Sequence, residues 1–132
     1  MTLALSDWEE FYRDGKSFHK RTRMSINQSQ IFTPTLIQNL AAMSIEKYFM
    51  AIFMSRGFLP RNHTMFDLVE EIKQIVPISP TLEETLLYMD SLQQICSIDN
   101  IKITLPKKED VPQFLAAVDQ VEFLADTLCK SS

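Results

Sequence analysis

Glycine is almost missing from this chain, with Gly15 and Gly57 the only two in 132 residues. A β-rich fold uses many tight turns that need a positive φ, so the shortage disfavours one. It also excludes the glycine-rich phosphate loops of Walker-type and Rossmann nucleotide sites, which need several glycines close together. Cysteine is equally sparse. Cys96 and Cys129 make no disulfide framework, and with His19 and His63 they never fall at paired ligand spacing, so neither a metal nor another cofactor is expected. Met1 to Asp7 shows no basic region leading into an apolar stretch, and together with free thiols this points to the cytoplasm. Long apolar runs are absent too. The best candidate, Leu36 to Ser55, is broken by Gln38, Asn39, Glu46 and Lys47, so no membrane span is expected.

What is there suits an ordinary globular chain, at 45% hydrophobic and 23% charged residues, and its length predicts one domain over residues 1–132. Thirteen basic against seventeen acidic residues leave a net charge of −4, which argues against bulk coating of nucleic acid but permits a local basic patch. The periodicity is helical throughout. Ser6 to Glu9 has the capping-box arrangement, and Trp8, Phe11, Tyr12, Gly15, Phe18, Thr22 and Ile26 follow one stripe, predicting a first helix from Asp7 to Asn27. Thr33 before Pro34 opens a second helix, and Gly57 after Arg56 closes it.

That second segment is apolar on nearly every side, so it should form the centre of the core. Asn62 or Thr64 caps a third helix carrying Met65 to Ile75, which Pro77 ends. Ser79 and Pro80 open a fourth, extending through Cys96. Alternating Ile101, Ile103 and Leu105 predict an extended loop, with a short strand as the alternative, and Phe114 to Leu128 a fifth helix behind Asp110 and Pro112. The fold class is therefore all-α, an antiparallel up-and-down bundle of four to five helices.

Four cations, Arg13, Lys16, Lys20 and Arg23, project onto one stripe of the first helix, well away from Trp8, Gly15 and Ile26. Phosphate backbones favour such a row, since each neutralised phosphate releases counterions, although a solvated face has the same pattern. His19 projects near Trp8 and Tyr12, where a partly buried, hydrogen-bonded histidine is the simpler reading and a catalytic one the sharper.

The stretch Leu40 to Phe53, followed by Gly57, Pro60, His63, Met65 and Leu68, resembles the core of an HEPN domain, the higher-eukaryote-and-prokaryote nucleotide-binding family. The resemblance implies a helical bundle, a homodimer, and either a nucleotidyltransferase partner or RNA cleavage. Ribonuclease members of that family carry an Arg and a His four to six residues apart near the final helices, whereas this chain has neither residue beyond His63. Two earlier pairs come near that pattern, Arg13 with His19 and Arg56 with His63, and Arg61 lies close to His63. Glu46 and Lys47 are either a polar pair in a dimer cleft that meets phosphate or a partner, or a structural pair.

The expectation that follows is a non-catalytic HEPN-like dimer binding a nucleotide, RNA or a nucleotidyltransferase-type protein. One alternative is a metal-independent ribonuclease in which His63 or His19 acts as base and Arg61, Arg56 or Arg13 steadies the phosphate. The other is a structural dimerisation module with no ligand. Either way, Met43, Met50, Phe53 and Met54 are the expected contributors to a two-fold interface.

Overall fold

A computed structural model of the protein describes residues 6–28, 31–60, 64–93 and 105–130. Among them are five α-helices and no strand: α1 (Ser6–Ile26), α2 (Pro34–Ser55), α3 (Met65–Lys73), α4 (Pro80–Gln93) and α5 (Val111–Lys130), with a single 3-10 turn, Lys108–Asp110, leading into α5. The all-helical expectation is met. Asn62, Cys96 and most of the predicted extended loop lie outside the described residues.

The helix ends follow local chemistry. Thr33 accepts a hydrogen bond from the Leu36 amide at 3.2 Å, and Pro34 starts α2 with its φ already set. At the other end Gly57 takes φ +69°, its amide donates to Met54 O, and the Phe58 amide donates to Phe53 O at 2.9 Å. That is a Schellman closure, and the apolar contact expected of it is present, with the Phe53 and Phe58 rings edge-to-face at 5.4 Å. Thr64 caps α3 through the Asp67 amide and Ser79 caps α4 through the Leu82 amide. α3 stops at Lys73, earlier than the apolar period predicts, because the Ile75 and Val76 amides turn back onto Ile72 O.

α2 packs against α1, α3 and α5, and its Ala41, Ile45, Tyr48, Phe49, Ile52 and Phe53 are fully buried. Its apolar circumference is thus covered largely by the chain itself. Met50 and Phe53, expected at a two-fold interface, belong instead to this core, whereas Met43 is exposed and Met54 half-buried. α1 runs antiparallel to α2, with Lys47 near Phe11 and Ser44 near Gly15. α1 is also antiparallel to α5, since Tyr12, Lys16 and Arg23 meet Asp126, Glu122 and Asp119 in reverse order.

Candidate functional site

Among the described residues, a connected group of ionisable side chains lies where α1, α2 and α5 meet. On α1 the helical repeat brings Tyr12, Lys16, His19 and Arg23 onto one flank. On α5 the same repeat aligns Asp119, Glu122 and Asp126. Tyr48 of α2 reaches between the two, its ring edge-on to both Tyr12 and His19.

His19 is 4% exposed and both of its ring nitrogens are engaged. Nε2 lies 2.7 Å from Asp119 Oδ1, and because that neighbour is a carboxylate the hydrogen belongs on Nε2. Nδ1 lies 3.0 Å from the Tyr48 hydroxyl, which is itself 3.4 Å from Glu122 Oε2. Arg23 donates to the same Asp119 oxygen at 2.8 Å, Lys16 donates to Glu122, and Tyr12 donates to Asp126. No buried side-chain polar atom among the described residues is left without a partner.

The electrostatics follow from this wiring. Partial burial alone would raise the Asp119 carboxyl, but the hydrogen bonds from Arg23 and His19 outweigh it and hold the pKa below its ordinary 3.8. Burial, with Glu122 nearby, holds the Tyr48 phenol well above 10.0. Lys16 is partly desolvated, which works against its charge, yet the hydrogen bonds to Glu122 and Tyr12 raise it above 10.5. The cluster is therefore built from charges and hydroxyls that satisfy one another. His19 and Tyr48 are enclosed, while Lys16, Arg23, Asp119 and Asp126 remain partly exposed at the rim.

The structure divides the predicted cationic row. All four are exposed, but Lys16 and Arg23 also pair with Glu122 and Asp119 of α5, while Arg13 and Lys20 have no such partner among the described residues. Arg13 and His19 do not form a reactive pair, because Arg13 is on the surface and His19 is buried beneath α5. Arg56 is exposed at the end of α2, and Arg61 and His63 lie outside the described residues. Glu46 and Lys47 are both half-buried, with Lys47 Nζ 5.4 Å from the centre of the Phe11 ring. Among the described residues no cluster of His, Cys, Asp or Glu is arranged to hold a metal ion.

Three surface cavities are formed among the described residues. The largest, about 520 Å³ between α4 and α5, is lined by Thr81, Thr85, Tyr88, Gln113 and Gln120 among others. The other two, about 340 Å³ each, lie beside Phe123 and beside Phe32. His19 lines none of the three, and Asp119 is the one member of the cluster that does, in the cavity beside Phe123.

Sequence reasoning placed His19 but missed its partners on α5. The signal was available: Asp119, Glu122 and Asp126 at i, i+3 and i+7 mirror the spacing of Tyr12, Lys16, His19 and Arg23. No family model, curated protein or solved structure matches this chain.

Proposed function

We propose that the chain is a non-catalytic, HEPN-like helical module that works as a homodimer and acts by association with a protein partner. The observation supporting this most is what becomes of His19, the one described histidine, whose two nitrogens are taken up by Asp119 and Tyr48 beneath α5. A general base must reach the proton it removes, and His19 reaches only its own chain. With Lys16 and Arg23 neutralised as well, protein association ranks ahead of RNA or nucleotide binding. A nucleotidyltransferase-type protein is the partner that the family resemblance suggests.

The test is incubation of purified protein with mixed RNAs in the absence of metal, beside His19→Ala and His63→Ala variants. The proposal expects intact RNA in every tube. Cleavage by the wild type that disappears in either variant would overturn it in favour of a ribonuclease.

A further inference from the structure

Gly15 faces Tyr48 of α2, and this fixes the two flanks of α1. Tyr12, Lys16, His19 and Arg23 lie to one side of it, against α5. Phe11, Asp14, Phe18 and Arg21 lie to the other side by the 3.6-residue repeat. The matching flank of α2 carries Leu36, Leu40, Met43 and Lys47 at i, i+4, i+7 and i+11, and Lys47 over the Phe11 ring joins the two flanks into one surface. Leu36 is 41% exposed and Met43 43%, while Phe11, Phe18 and Leu40 are half-buried. Leu36 and Met43 thus lie open on a surface to which Phe11, Phe18 and Leu40 add half-buried apolar groups.

The charges on this surface identify the occupant. Asp14 is exposed and forms no ion pair among the described residues. Arg21 lies over the Phe18 ring at 5.3 Å and likewise has no carboxylate partner among them. Seven residues apart, the two lie on nearly the same line along α1 but about 10 Å from each other, too far to pair within one copy. A two-fold axis between Ser17 and Phe18 exchanges positions 14 and 21. Asp14 of each copy then meets Arg21 of the other, so one contact supplies two ion pairs, with apolar groups beside them. A patch that is its own electrostatic complement under this operation suits an isologous dimer, since a partner of different sequence would have no need of it.

We propose that the outward flank of the α1–α2 hairpin seats a second copy of this chain in an antiparallel two-fold arrangement, fixed by reciprocal Asp14–Arg21 pairs around Phe18 and Met43. This rests on the dimer proposed above and specifies its surface and register.

Sedimentation equilibrium on the wild type, Asp14→Arg, Arg21→Asp and the double exchange tests it, with circular dichroism confirming that each variant is folded. Each single exchange places like charges opposite one another and should weaken the dimer about tenfold or more, and the double exchange should restore it to near wild type. A monomeric wild type would overturn the dimer reading itself. If the wild type dimerises and the single exchanges leave it unchanged, the dimer stands but this surface is wrong. Weakening without restoration in the double exchange would overturn the antiparallel register.

Discussion

The Tyr48 ring occupies the space that a side chain at Gly15 would need. A β-carbon built there would lie 2.7 Å from Tyr48 Cδ1 and 2.9 Å from Cε1, closer than packed carbons come. On the same side of the pair, Ser44 Oγ donates to Gly15 O at 2.8 Å, so the missing side chain is what lets α1 and α2 touch. An exposed Gly→Ala change inside a helix normally gains about 1 kcal/mol in propensity. Here the displaced ring should more than offset that gain, since overpacking costs about 1–3 kcal/mol. Gly15→Ala is expected to lower stability by about 1 kcal/mol in urea unfolding, and a stabilised variant would show that the ring moves freely.

Tyr48→Phe keeps the ring and removes the hydroxyl between His19 and Glu122. Leaving His19 Nδ1 without its partner should cost about 1–3 kcal/mol near neutral pH. The same hydroxyl governs behaviour in alkali. Its pKa is raised in the fold by burial and by Glu122, so its contribution is fully present below about pH 10 and is lost above it, where the unfolded chain ionises. Stability of the wild type should therefore fall as pH rises beyond about 10, and the fall should be shallower in Tyr48→Phe. Parallel alkaline profiles for the two proteins would contradict this placement of Tyr48.

The acid side depends on Asp119. Its pKa is lowered in the fold by Arg23 and His19, so its contribution is present above about pH 4 and disappears as pH falls through the lowered value. Asp119→Asn should shift the urea midpoint downward at pH 7 and converge with the wild type near pH 2. A midpoint difference that persists unchanged in acid would mean that the carboxylate charge is not what holds α5 to α1.

The sequence made the helices and their ends legible, because the signals there are local. Thr33–Pro34, Gly57 and Ser79–Pro80 each act within a few residues, and each sits at the boundary it predicts. α2 was also recognisable as central from its all-round apolar character. What covers α2 was not, since burial of Met50 and Phe53 depends on residues far along the chain. The pairing within the cationic row was hidden for a related reason. A helical projection shows which residues share a stripe, but it took the position of α5 to separate Lys16 and Arg23 from Arg13 and Lys20.

Two methionines on α2 separate core from surface. Met50 is 2% exposed and Met43 43% exposed, although both were expected at an interface. Met50→Glu buries an unpaired charge and should destabilise by several kcal/mol or prevent folding. At concentrations low enough to keep the chain monomeric, Met43→Glu should stay within about 0.5 kcal/mol of wild type in denaturant. Equal destabilisation by the two changes would contradict the orientation of α2.

The central claim is that this helical module works through self-association, and light scattering on the wild type at micromolar concentration tests it most directly. The account predicts twice the 15.3 kDa mass of the chain. A mass of 15.3 kDa across that concentration range would contradict it.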